Sequence, residues 1–244
     1  MFPSCPDAVF VLLTNERMSR IIVDIETVGR DFGSFDKTTQ DYLLKWAETE
    51  EDIQEVKDSL SFYPLTGEIV AIGMLNPDTM KGAVYFQAPH DPLLPFEEDA
   101  VHFETGTEPG IIQKFWDLIK GYDQIITFNG RSFDCPFIMI RSAVYRIKPS
   151  RDLMPNRYSG PHIDLLDQFT FYGASRRKFS LDMWCRTFGI KSPKSEGITG
   201  YEVKDLYLSG KYLAIAKYCM GDLRATQELL TYWEKYIRFP SEKS

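Results

Sequence analysis

The feature that most constrains this 244-residue chain is the run Ile21-Ile22-Val23-Asp24-Ile25, followed at once by Glu26. A short β-branched apolar run of this kind reads as a buried strand, and it ends in two carboxylates. In a strand, residues i and i+2 point to the same face, so Asp24 and Glu26 stand side by side. At about 5 Å and an effective dielectric near 20, two such charges repel by roughly 3 kcal/mol. Either one carboxylate takes up a proton or a cation compensates. Taken alone, the pair also fits a strand end at which both acids are solvated.

The rest of the chain supplies the layers that bury this strand. Residues 38–60 hold no Pro or Gly and read as a solvated helix or helix pair. Glu68 to Leu75 and Gly82 to Gln87 read as a hairpin through Asn76-Pro77-Asp78. Residues 88–107, with Pro89, Pro92 and Pro95, read as loop. Pro109 opens a helix that places Ile112, Phe115, Trp116 and Ile119 on one face before Gly121. Gln124 to Phe128 is the next buried strand, and Phe133 to Tyr145 is helical. Residues 148–162 read as loop, and Ile163 to Phe171 as a strand end or short helix. Ser180 caps a helix running to Phe188 and Gly189. Residues 191–201 are loop, and Tyr212 to Trp233 is a long amphipathic helix. The pattern predicts an α/β fold, a mixed β-sheet flanked by α-helices. With no linker-like break, it predicts one domain over residues 18–240 behind an N-terminal extension, 1–17.

Composition narrows the function classes. The net charge of −7 argues against a wholly electropositive nucleic-acid coat protein. The charge is uneven, however. Residues 31–110 carry seventeen Asp/Glu against four lysines, whereas 141–180 carry eight Lys/Arg against three Asp. The densest cationic run is Arg176-Arg177-Lys178, which fits either a solvated face or a groove for a polyanion. No run of about 18 apolar residues exists, so no membrane span is expected. Cys5, Cys135, Cys185 and Cys219 form no CxxC pair. They read as free thiols in a reducing, cytoplasmic setting rather than as a zinc site.

Two further groups of residues carry chemistry. Asn129-Gly130-Arg131-Ser132-Phe133-Asp134 follows the apolar strand 124–128. Asn-Gly permits a tight turn, and Asp134 then falls at a helix start, where free amides and the helix dipole stabilise its charge. That placement alone requires no function. Tyr218 and Asp222 lie at i and i+4, on one face of the last helix.

In order and spacing, Asp24/Glu26, Asn129…Phe133-Asp134 and Tyr218…Asp222 resemble the three exonuclease motifs of the DEDD superfamily. The tyrosine resembles the branch called DEDDy. The histidine branch has a His before the last Asp; here position 217 is Lys. Further residues resemble the predicted 3′–5′ exonucleases similar to the proofreading domain of family-B DNA polymerases. They are Pro64-Leu65-Thr66-Gly67-Glu68-Ile69-Val70, Phe133-Asp134-Cys135-Pro136-Phe137, Arg141, Lys194…Gly200 and Tyr218-Cys219. The resemblance spans roughly residues 20–235 and implies a ribonuclease H-like fold. No polymerase segment accompanies it, so the expectation is a stand-alone exonuclease.

The resemblance implies that Asp24, Glu26 and Asp222 hold one divalent metal ion, and Asp24 with Asp134 a second. Oxygen-only ligands suit Mg²⁺ or Mn²⁺. It implies hydrolysis at the 3′ ends of single-stranded DNA or RNA, with release of 5′-mononucleotides. Tyr218, a phenol, suits orienting the water better than deprotonating it. Thr27, Asn129 and Phe133 are candidates for substrate binding, and Phe133 reads equally as core. Arg176, Arg177 and Lys178 are candidates at the rim. The alternatives are a catalytically silent nucleic-acid-binding module and a ribonuclease H-like endonuclease.

Overall fold

The computed structural model describes residues 18–191 and 202–239. The expected extension, 1–17, and most of the loop around Lys194 and Gly200 lie outside the described residues.

A seven-stranded sheet organises the chain. Its strands are β1 (Arg20–Gly29), β2 (Gly67–Leu75), β3 (Gly82–Phe86), β4 (Phe96–Glu98), β5 (Val101–Thr105), β6 (Gln124–Thr127) and β7 (His162–Asp164), in the order β4-β5-β3-β2-β1-β6-β7. β1 pairs antiparallel with β2 and parallel with β6, so the sheet is mixed. Because β1 has a neighbour on each side and helices on both faces, its apolar run is buried throughout.

Strand alternation divides the core. Ile21, Val23 and Ile25 pack with Phe115, Trp116 and Ile119 of α3 (Glu108–Ile119) and with Phe137 and Ile138 of α4 (Asp134–Val144). Ile22 faces the other way, toward Cys219, Leu223 and Leu230 of α8 (Tyr212–Tyr236). Three shorter helices join that layer: α5 (Leu165–Phe169), α6 (Leu181–Phe188) and α7 (Glu202–Leu208). Asp24 and Glu26 share the parity of Ile22, so they point into the α8 layer.

The expected helix pair is α1 (Lys37–Leu43) and α2 (Glu50–Ser59), the second opened by a capping box between Thr49 and Asp52. The cap of α6 is as expected: the Ser180 side chain accepts from Met183 N–H, and Gly189 ends the helix. One expectation is corrected. Residues 88–107 are not loop throughout, because β4 and β5 form there. The apolar side chains of Val101 and Phe103 are buried, and β5 runs parallel to β3. No helix among the described residues is long and apolar enough to cross a membrane.

Candidate active site

The four acids come from three elements and meet at one cleft. Asp24 and Glu26 lie on β1, Asp134 opens α4, and Asp222 sits in α8; all four line an open cleft of roughly 450 Å³. Close packing fixes the spacing between sheet and helix. Gly73 on β2 is the register partner of Asp24. A Cβ added there would lie 2.6 Å from Leu223 Cδ1 and 2.7 Å from Cys219 Sγ, both on α8. Only a residue without a side chain lets that helix approach so closely.

A second device sets Asp134. Its Oδ1 accepts from the N–H of Ile25 at 3.0 Å, tying the start of α4 to the strand between the two β1 acids. The turn before α4 is held in its own right. Asn129 has φ 62, and Gly130 packs so tightly that a Cβ would lie 2.4 Å from Thr127 Cβ. Asp164, at the end of β7, clamps this turn: its Oδ1 accepts from Asn129 N–H at 2.8 Å and its Oδ2 from Arg131 N–H at 2.9 Å.

Gathering the acids has an electrostatic cost. Burial, followed by the charges of Asp134, Asp222 and Glu26, holds the Asp24 carboxyl well above the ordinary carboxylate range. Burial raises Asp134 to about 7, with hydrogen bonds from its own amide and from Ile25 opposing the shift. Asp24 Oδ2 is shut off from solvent with no hydrogen-bond partner. An orphaned anionic oxygen among like charges is the environment a cation relieves. The Asp24, Glu26 and Cys219 ligand atoms lie within 4.8 Å of one another. Burial pushes the Cys219 thiol up, and its S–H donates to the Asp24 carbonyl at 3.7 Å, so it acts as a neutral donor beneath the acids. The remaining ligands are oxygens, and the set fits a hard divalent ion.

Tyr218 is buried and hydrogen-bonded to Asp222; burial and then the charges of Asp222, Glu26 and Asp24 push its phenol upward, so it stays protonated. Asn129, Phe133 and Lys178 line the cleft with the acids. Thr27, Arg176, Arg177 and Tyr218 are not among the lining residues, although Tyr218 reaches the site through Asp222. Thr27 follows a bulge in β1, is buried, and donates its hydroxyl to Ser61 O at 2.8 Å. Arg177 lies over the Phe179 ring, 4.8 Å from its centroid.

A family model described as a predicted 3′-5′ exonuclease related to the exonuclease domain of PolB matches residues 97–239, more than half of the chain. The chain belongs to this exonuclease family. DNA polymerase 1 of Sulfurisphaera ohwakuensis is 23% identical over 167 residues, which is 60% of this chain and 19% of that protein. The family B DNA polymerase of Pyrobaculum calidifontis superposes with a TM-score of 0.55 at 17% identity, over 89% of this chain and 24% of that one. The chain therefore spans about a fifth to a quarter of the polymerases it matches, and the second likeness concerns the fold. The family match contains Asp134, Tyr218 and Asp222; Asp24 and Glu26 precede it and join them through the geometry above.

This member of the exonuclease family has site residues that sequence reasoning missed. Phe128, Leu166, Phe179 and Leu181 wall the cleft. Asp164, which organises the Asn129 turn, stands in the sequence only as an acid near a strand end. Arg141 takes a structural place: its guanidinium is buried against Glu108, with Nη2 to Oε2 at 2.6 Å, and Glu108 also accepts from Ile69 N–H. It ties α3 and α4 to β2.

Proposed function

We propose that the protein is a metal-dependent 3′–5′ exonuclease acting on single-stranded nucleic acid, DNA or RNA. The observation that carries this reading is the convergence of Asp24, Glu26, Asp134 and Asp222 on one open cleft, with an orphaned Asp24 oxygen inside it. Asp24, Glu26 and Asp222 would hold one Mg²⁺ or Mn²⁺, and Asp24 with Asp134 a second. When bound, such ions supply charge neutralisation at the phosphate and lower the pKa of water.

The chain's own groups supply the rest. The Tyr218 O–H, fixed by Asp222 and resistant to ionisation, is a donor that orients the attacking water. Lys178 Nζ, which donates to Ser132 Oγ at 3.2 Å, reaches over the cleft where a phosphate would sit. Phe133 and Asn129 offer a ring face and an amide to the bases near the 3′ end. A cleft walled by Phe128, Phe133, Phe179 and Leu181 suits unstacked bases, which are available in a single strand.

The test is hydrolysis of a 5′-labelled single strand in Mg²⁺ or Mn²⁺. The expected products form a ladder of strands shortened from the 3′ end, with release of 5′-mononucleotides. Internal cuts would indicate an endonuclease. Binding without hydrolysis, equal to that of an Asp24→Asn variant, would indicate a silent binding module.

A further inference from the structure

We propose that Tyr158, Phe171 and Tyr172 form a stacking shelf for the unpaired bases upstream of the 3′ end. The shelf extends the proposed nuclease site and rests on that reading. Tyr158 and Phe171 are 72% and 62% exposed, and Tyr172 is 36% exposed. The backbone holds Phe171 and Tyr172 under strain. Phe171 and Tyr172 have φ of 50 and 57, a left-handed conformation that side-chain-bearing residues rarely adopt, and Gly173 follows at 96. Consecutive strained residues persist only where surrounding contacts enforce them. Here Tyr172 N–H donates to Asp167 O at 2.7 Å, and Ser175 N–H to Thr170 O at 3.0 Å.

The two tyrosines of the shelf are preassembled. The Tyr158 and Tyr172 rings lie 4.8 Å apart at 59°. Gln168 Nε2 donates to the Tyr172 hydroxyl at 2.9 Å. Arg157 lies 5.8 Å from the Tyr172 ring centroid while pairing with Asp167, its Nε donating to Oδ2 at 2.7 Å. Phe171 makes no ring contact among the described residues, so its face is open.

Chain path and charge identify the occupant. The segment leaves the cleft at Leu166 and re-enters it at Lys178, both lining residues. Thr170, the residue before Phe171, donates its hydroxyl to Leu166 O at 2.7 Å, so the shelf begins one helical turn from the cleft wall. Arg176 and Arg177, on the same segment, are exposed and form no ion pair among the described residues. Exposed ring faces and exposed guanidiniums on one segment, which begins and ends at a cleft for a strand end, suit a single-stranded polyanion. Aromatic shelves accept any base, because every base has a π-face.

The test uses the full chain and a 5′-labelled (dA)12 strand in EDTA, with binding measured across a salt series. Phe171→Gly suits the left-handed backbone and keeps the fold, so melting temperature should hold or rise. Its affinity should fall by about 5- to 100-fold, the scale of removing one stack. Because no charge is removed, the slope of log K against log[salt] should not change. An Arg176→Ala/Arg177→Ala variant should instead flatten that slope by about 0.7 for each phosphate that is no longer neutralised. Phe171→Trp should restore affinity, and its added emission should be quenched by the strand; Phe171→Leu should not restore it. Full affinity in Phe171→Gly, or unquenched Phe171→Trp emission with strand bound, overturns the shelf while leaving the nuclease reading intact. Quenching without any Mg²⁺-dependent trimming overturns the nuclease reading and leaves the shelf. No oligonucleotide binding by the unaltered chain overturns the shelf, and trimming in Mg²⁺ decides the nuclease reading separately.

Discussion

The Oδ1 of Asp134 accepts a hydrogen bond at 3.0 Å from the amide of Ile25, the residue between Asp24 and Glu26. One acid of the cleft is thus positioned by the backbone that carries two others. The acids form a mechanical unit as well as an electrostatic one, and their variants should not behave additively.

Asp24→Asn, Asp134→Asn and Asp222→Asn should each reduce trimming of a labelled strand by about 10³-fold or more, and a double variant by little further. In EDTA each should melt at or above the temperature of the parent chain, because one repelling charge is gone. Mg²⁺ should raise the parent's melting temperature and not that of the variants. Trimming near the parental rate by any of the three, at saturating Mg²⁺, would remove that acid from the proposed ion site.

Tyr218→Phe removes the hydroxyl held by Asp222 and leaves the ring in the core. The expected loss is about 10- to 1,000-fold in kcat, with KM little changed. An unchanged kcat would make Tyr218 a packing residue.

His162 should give the fold acid sensitivity away from the acids. Its Nε2 meets Thr127 Oγ1 at 2.9 Å and its Nδ1 meets Leu153 O at 3.0 Å, a pairing that suits the neutral ring donating from Nδ1. Burial lowers its pKa to about 4, with Arg131 and Arg151 adding to the shift and Asp167 and the Leu153 hydrogen bond opposing it. Well above pH 6.5 the ring is neutral in both folded and unfolded chains and contributes nothing to pH dependence. As pH falls from 6.5 toward 4, the unfolded chain takes up a proton that the folded one refuses, and stability drops by about 3 kcal/mol. Urea unfolding at pH 7 and pH 4.5 should show His162→Asn to be flatter than the parent by about 2 kcal/mol or more. Equal slopes would assign the acid sensitivity to other groups.

Asp164→Asn replaces one of two accepting oxygens with a donor, leaving either Asn129 N–H or Arg131 N–H without its partner. The cost should be about 1–3 kcal/mol in urea unfolding. Trimming should also slow, because the turn that presents Asn129 and Phe133 loosens. Parental stability would mean that the turn holds itself through Gly130.

How much of this was legible in the sequence depended on the range of the forces involved. The apolar run of β1, the hairpin of β2 and β3, and the Ser180 cap are local signals, and they appear where expected. β5 is held by parallel pairing with a strand fifteen or more residues upstream, and the prolines before it read as loop. Nothing local marks α7. The acids were legible because each stands out against an apolar neighbourhood. The basic stretch 141–180 was only half legible, because a residue count does not distinguish paired cations from free ones. Arg141 is buried against Glu108, Arg157 pairs with Asp167, and Arg151 donates to the Tyr122 and Asp123 carbonyls. Of the rest, Lys178 alone lines the cleft. Asp164 was missed because a clamp is defined by two amides distant in sequence.

The close approach of Gly73 to Leu223 and Cys219 has a consequence for heat inactivation. Asp222 is registered against Asp24 only while α8 lies flush on β2, with no intervening methyl group to act as a spacer. Slight loosening of that seam should misalign the acids while most of the core is still folded. Warming should therefore silence the cleft some degrees before the cooperative melt, and cooling from that window should restore it in full.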